Sequence, residues 1–246
     1  MIPRILRLEK KNIIYTKNKS EIKYIMKPIL IIGTGGAARL AYDEITKKKI
    51  SILGFVEFKK FYRKKNYLNK PVIKFEEITP DLVEKFNFFY LKSYDDLNEL
   101  RSKNFLIFKK KKFKFISYIS DEVKLDPSIS VGENTFILGG QTICSDVKIG
   151  NNVVIWSHNH IGDRTTVEDH VWISSSVSIG GDAVIGIKSF LGLNSTICNS
   201  VKIAKENFIG ANALITKNTN NYEVFIEQST AKLNINSKVF FKTIKF

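Results

Sequence analysis

From Ile119 onward an aliphatic residue returns at every sixth position: Leu125, Val131, Ile137, Ile143, Ile149, Ile155, Ile161, Val167, Ile173, Ile179, Ile185, Leu191, Ile197, Ile203, Ile209 and Ile215. All 17 positions are Ile, Leu or Val. The residue after each is often small, as at Gly132, Gly150, Gly162 and Gly180, and the fourth after is usually small or β-branched, as at Val147, Val153, Thr165 and Val171. An α-helix cannot keep a six-residue apolar period on one face, because 3.6 residues per turn scatter it around the axis. A parallel β-solenoid can, each hexad forming a short strand and a corner with the aliphatic residue pointing inward.

Upstream the pattern is different. Lys27-Pro-Ile-Leu-Ile-Ile-Gly-Thr-Gly-Gly-Ala-Ala-Arg is a short apolar run that ends in glycines and opens into helix-like residues, which predicts strand, tight turn and helix. Further strands are predicted at residues 50 to 56, 71 to 73 and 86 to 91, and a helix at 95 to 103. Alternating strands and helices imply a small α/β domain with a parallel sheet. The expected organisation is therefore an extension over 1 to 25 (or a natural start at Met26), an α/β domain over 26 to 117, a β-solenoid over 118 to 217 and a tail over 218 to 246. Residues 234 to 246 read as a final strand or helix.

Composition narrows the class. A chain of 246 residues with 43% hydrophobic content can build a substantial core. The net charge of +15 suggests nucleic acid until it is located. Residues 125 to 216 hold five basic and eight acidic residues, a net of −3, so the excess lies elsewhere, in runs such as Lys59-Lys60, Arg63-Lys64-Lys65 and 109 to 112. Such runs read as a solvated surface, or as one that attracts phosphate-bearing ligands. No nucleic-acid-binding motif accompanies them, so no nucleic-acid partner is expected. The sequence has neither an uncharged apolar run of about 18 residues nor a signal-peptide pattern. The expectation is a cytoplasmic protein with no membrane partner, and with Cys144 and Cys198 both reduced.

The repeat resembles that of the hexapeptide-repeat acyltransferases, whose fold is a left-handed parallel β-helix of 18 residues per triangular coil. Handedness comes from that resemblance and not from the period. With such coils Cys144 and Cys198 stand three coils apart, roughly 14 Å and too far for a disulfide. Together with the preceding α/β domain, the pattern is similar to bacterial sugar acetyltransferases of the sialic acid O-acetyltransferase (NeuD) type, which include bacillosamine and perosamine N-acetyltransferases. The resemblance spans about residues 26 to 233 and rests on IleIleGlyThrGlyGly (31 to 36), TrpSerHisAsnHisIleGly (156 to 162) and PheLeuGlyLeuAsnSerThrIle (190 to 197). It implies a Rossmann-like domain that holds a nucleotide-linked sugar, a β-helix that holds acetyl-CoA, a homotrimer with active sites between subunits, and no metal.

By position, the resemblance places Gly35, Gly36, Ala37, Glu57 and Ser93 against the nucleotide-sugar, and Trp172, Leu193, Asn194 and Ala211 against acetyl-CoA. Glycines at a helix N-terminus let backbone N–H groups approach phosphate oxygens, although a strand-to-helix turn uses glycine anyway. At the family's catalytic histidine position the chain has Asp163, with Arg164 in place of the acidic partner. The candidates for proton acceptor are therefore Asp163, His160 and His158. A sugar amine with a pKa near about 8 is roughly 10% neutral at pH 7, so selecting that form costs only about 1.4 kcal/mol. A hydroxyl has no such neutral-pH nucleophile and needs a competent base. Loss of the histidine thus favours N-acetylation over O-acetylation, on an amino sugar of the perosamine, viosamine or bacillosamine type used for surface glycans.

Three alternatives remain open at this stage. One is a sugar O-acetyltransferase, and another is a non-catalytic nucleotide-sugar sensor. The third is a zinc enzyme of the gamma-carbonic-anhydrase kind using His158, His160 and His170, since three histidines leave zinc one open position. His170 is otherwise expected as a solvated corner residue.

Overall fold

The structure is a computed structural model that describes residues 27 to 243; the expected extension over 1 to 25 lies outside the described residues. The α/β domain has five strands, β1 (Ile29–Ile32), β2 (Ile52–Glu57), β3 (Asn66–Tyr67), β4 (Lys70–Lys74) and β5 (Asn87–Tyr90). Their spatial order is β3-β4-β2-β1-β5, parallel throughout except for the β3–β4 pair. Helices α1 (Gly36–Lys47), α2 (Pro80–Lys85) and α3 (Glu99–Lys110) complete it. The helix expected at 95 to 103 begins later and runs longer. Asp96, Leu97 and Asn98 have φ of 54°, 44° and 65°, a left-handed turn that no right-handed helix can contain.

Alternate residues of β1 part to the two sides of the sheet, as the strand period requires. Leu30 and Ile32 pack with Leu82, Phe86, Phe105, Phe108 and Phe113 on the side of α2 and α3. Ile29 and Ile31 pack with Ala38, Ala41 and Ile45 of α1 on the other.

The second domain is a left-handed parallel β-helix. Among the described residues its strands are 17 two-residue pieces, β6 to β22, running from Tyr118–Ile119 to Val224–Phe225. They pair with an 18-residue offset, for example Lys148 with Thr166 and Val154 with Trp172, shortened to 16 at the last pair, Phe208 with Val224, and fall into three sheets. The coils thus continue past residue 217, the boundary expected from the hexads. Among the described residues the tail ends in α4 (Ser237–Thr243). Inside the prism lie the hexad aliphatics from Ile137 to Ile215 together with Val147, Val153, Val171, Val177, Ala183 and Val201, one continuous core.

Each corner turns on one residue. Every sixth position from 134 to 212 has a positive φ between 54° and 74°, at Asn134, Gly140, Asp146, Asn152, His158, Arg164, His170 and onward. Outside glycine, Asn, Asp and His tolerate this region best. Two of the three histidines are therefore corner residues.

The three outer faces differ. One carries Ser130, Lys148, Thr166, Val184 and Lys202; a second carries Thr142, His160, Ser178, Thr196 and Leu214. The third carries Tyr118, Phe136, Val154, Trp172 and Phe190, all under 9% exposed. The α/β domain covers this aromatic face: Ile29, Ile31, Ala41 and Phe89 share one packed cluster with Phe136, Val154, Trp172 and Phe190. Tyr118 Oη donates to Glu44 of α1 at 2.8 Å, and Lys48 pairs with Asp121 at 2.7 Å, which fixes the C-terminal end of α1 on the first coil.

Candidate active site

Because β1, β2 and β5 run parallel, the loops that follow them meet at one end of the sheet, and the chain reverses its direction of strand addition between β1 and β5. Crevices at such switch points are where open α/β sheets bind ligands. The expected sugar-binding positions lie at this end: Gly35 and Ser93 in the loops, Gly36 and Ala37 in the first turn of α1, and Glu57 as the last residue of β2. Gly33 alone of the loop glycines needs its freedom, with φ of 106°. Gly35 and Gly36 have ordinary φ, are exposed, and a Cβ added to either would meet nothing within 4 Å. Packing therefore does not explain them, and the first turn of α1 has no side-chain cap for its N–H groups. Glu57 is 8% exposed and spent on structure: Oε2 accepts from Thr34 Oγ1 at 2.8 Å and Oε1 from the Phe58 amide at 2.9 Å. It braces the glycine loop.

On the β-helix the 18-residue register sorts the remaining candidates by edge. His158, Ser176, Asn194 and Asn212 occupy successive corner positions of the edge between the aromatic face and the Thr142–Thr196 face, with Ser157, Ser175, Leu193 and Ala211 one residue before them. The structure thus brings His158 together with three of the four expected acetyl-CoA positions. Leu193 is 56% exposed, and Asn194 Nδ2 donates to Asn212 Oδ1 at 2.8 Å along the edge. His158 is exposed and lies over Gly140 of the preceding coil; a Cβ there would be 2.4 Å from Nδ1, so glycine leaves the ring its place. His160 is also exposed, the outward residue of the neighbouring face.

Asp163 stands at the far edge of that face. Its carboxylate pairs with Arg164 Nη1, and the same guanidinium grips Asp182 through Nε and Nη2 at 2.7 Å each. Hydrogen bonding to Asp182, with the fields of both carboxylates, pushes the Arg164 guanidinium up from its already high ordinary value. Trp172 is 5% exposed beneath the α/β domain, its ring 5.2 Å from Tyr94 and 5.9 Å from Trp156.

His170 corrects the expectation of a solvated corner. It is 4% exposed on a different edge, with Nδ1 2.9 Å from Asn152 Nδ2, which uses the unprotonated nitrogen as acceptor. Burial first, and the nearby Arg101 cation second, push its pKa down to about 4. The three histidines therefore do not converge within one chain, and among the described residues no group of three or more His, Cys, Asp or Glu could hold a metal. Among the same residues no helix is long and apolar enough to cross a membrane.

Sequence reasoning passed over Trp156. Its indole N–H is buried without a partner among the described residues, while its carbonyl accepts from Gln141 at 2.5 Å and Asn159 at 2.6 Å. It packs against the same apolar cluster, shared by the α/β domain and the aromatic face, as Ala37 and Leu40 of α1. The lysines gather elsewhere: a groove of about 680 Å³ lined by Lys27, Lys110, Lys111, Lys112 and Lys114 lies at the opposite end of β1 and β5.

An α/β domain seated on one face of a left-handed β-helix defines the fold class, and solved structures share it. The chain is similar to a histidine-to-asparagine variant of perosamine N-acetyltransferase from Caulobacter crescentus in complex with CoA and GDP-perosamine, at 20% identity, covering 81% of this chain and 93% of that one with a TM-score of 0.72. It is similar to PerB from the same organism, also with CoA and GDP-perosamine, at 19% identity, 81% and 94% coverage and a TM-score of 0.69. The acetyltransferase domain of PglB from Neisseria gonorrhoeae matches at 16% identity, 82% and 97% coverage and a TM-score of 0.71. No family model and no curated protein matches the chain.

Proposed function

We propose that the protein is an acetyl-CoA-dependent N-acetyltransferase acting on the amino group of a nucleotide-linked deoxyamino sugar of the perosamine, viosamine or bacillosamine type, for surface glycan synthesis in the cytoplasm. The observation that carries this reading is the open strand-to-helix turn of Gly35, Gly36 and Ala37 at the switch point of the α/β sheet, in a domain docked on a β-helix whose exposed edge bears His158, Leu193, Asn194 and Ala211. The similar structures hold CoA and GDP-perosamine, which supports the same pair of ligands here. Backbone N–H groups of α1 receive the phosphates, Ser93 contacts the sugar nucleotide from the β5 loop, and the exposed edge receives CoA.

The neutral amine attacks the thioester carbonyl, a C–N bond forms, the C–S bond breaks, and CoA leaves as thiolate. The amine's surplus proton passes to His158, with His160 beside it on the adjoining face. Asp163 is held by Arg164 and is the poorer acceptor, since carboxylates as a class are weaker bases than imidazoles near neutrality. Asp163 reaches the CoA edge only from a neighbouring copy, the arrangement a homotrimer provides, and there it orients the amine. Trp172 supports the site from beneath the α/β domain.

The test is to mix protein with acetyl-CoA, a thiol reagent and a panel of nucleotide-linked amino sugars. Thiol release that requires one amino sugar, with an amide in the product, is expected. Binding without release for every sugar would replace this reading with that of a sensor, and turnover of a hydroxyl-only sugar would make it an O-acetyltransferase.

A further inference from the structure

The loop that carries Ser93 ends at Asn98, and its anchorage is not in its own domain. The corner residues Asn134, Asn152, His170 and Lys188 form one column along the β-helix, each 18 residues from the next. Asn134 holds the end of β5 by both ends of its amide: Tyr90 N–H donates to Oδ1 and Nδ2 donates to the Tyr90 carbonyl, each at 2.8 Å. Asn134 also donates to Asn152 Oδ1 at 2.8 Å. Above it, Arg101 of α3 donates through Nη1 to the Asn152 carbonyl and through Nη2 to the His170 carbonyl at 2.6 Å and to Asn98 Oδ1 at 2.9 Å. Asn98 Nδ2 then donates to the Lys188 carbonyl at 2.9 Å, and Lys188 pairs with Glu99 at 2.6 Å.

This seam is closed to water. Asn98 and Arg101 are 0% exposed, Asn134 2% and Asn152 1%. Among the described residues no carboxylate pairs with Arg101, its Nε has no partner, and its guanidinium lies 5.8 Å from the Trp172 ring. A buried cation without a counter-ion is a costly way to join two domains that already share an apolar face, and such groups are kept where they select one arrangement over others. The arrangement selected here is that of residues 91 to 98, whose Tyr94 ring packs 4.7 Å from Phe190.

We propose that Asn98 and Arg101 are positioning residues: by reading the backbone of the corner column they set the β5–α3 loop, and with it Ser93, at the nucleotide-sugar crevice. The affinity of the α/β domain for its ligand is thus set by the β-helix. This rests on the function proposed above.

The test uses Asn98→Gly, which accommodates the left-handed φ and removes the side chain with its amide, and Arg101→Met in the full chain. KM is measured for the nucleotide-sugar and for acetyl-CoA, together with hydrogen exchange of amides 91 to 98. The expected result for Arg101→Met is a nucleotide-sugar KM raised about tenfold, an acetyl-CoA KM within about twofold of the parent, and faster exchange in the loop. Asn98→Gly moves the same readouts in the same direction, by less, and carries the test if Arg101→Met does not fold. Unchanged exchange, a faster loop without a change in KM, or a rise in both KM values together would overturn the proposal. If the parent enzyme turns over no amino sugar, the functional reading fails by itself, and loop exchange still decides whether the clamp exists.

Discussion

The two halves of the molecule are built by opposite rules. In the β-helix each coil meets only its neighbours, so residue number modulo 18 tells where a side chain sits. The α/β domain has no such period; its sheet is closed by strands distant in sequence, and one of its sides is finished only by the aromatic face of the other half. Charge follows the same division, with lysine runs on the α/β domain and a slight acidic excess on the coils. Placement on the β-helix is therefore a local matter, and placement on the α/β domain depends on docking.

Substitutions can break or sharpen that contrast. The largest effect is expected at the solenoid core, where Ile173→Ala should cost about 2–5 kcal/mol in urea unfolding, since Ile173 is 0% exposed and a coil between two others cannot collapse onto the cavity. Next is the edge chemistry: His158→Asn should keep the corner φ and the melting temperature but lower kcat about 10- to 100-fold, with His160→Asn weaker. An equal loss in Asp163→Asn alone would move the proton to the carboxylate.

A smaller effect separates the buried seam from the open edges. The folded-state pKa of His170 is depressed to about 4 by burial and by Arg101 and Lys188, against the opposing pull of Asp169 and Glu99. A depressed histidine costs the fold nothing above its unfolded value near about 6.5, and below it stability falls by up to about 1.4 kcal/mol per pH unit until the folded pKa is reached. Melting temperatures between pH 7 and 4 should therefore fall less steeply in His170→Asn. The smallest change in stability is expected for Gly36→Ala, which meets nothing within 4 Å and should shift Tm by no more than about a degree or two, while weakening nucleotide-sugar binding measured calorimetrically.

The hexads showed the solenoid and its inward residues, because one repeated steric demand writes itself into every sixth residue. The strand-turn-helix at 29 to 47 was equally legible, through an apolar run that stops at glycines. The start of α3 was not: Asp95-Asp96-Leu97-Asn98 has the composition of a helix start, and only the docked loop makes three consecutive residues left-handed. The burial of His170 was hidden for a related reason. Corner residues share one backbone conformation whether they face water or a second domain, so the pattern marked His158 and His170 alike.

By itself, then, the sequence determined the left-handed coil class through its resemblance, the 18-residue columns and the residues inside the prism, all of which follow from contacts between near neighbours. Only the tertiary structure decided which face is covered, that Trp172 lies beneath the α/β domain, and that Asn98 and Arg101 bind the corner column. Those outcomes depend on contacts between residues far apart in the chain, such as the Asn98 side chain with the Lys188 carbonyl 90 residues on, which leave no periodic trace.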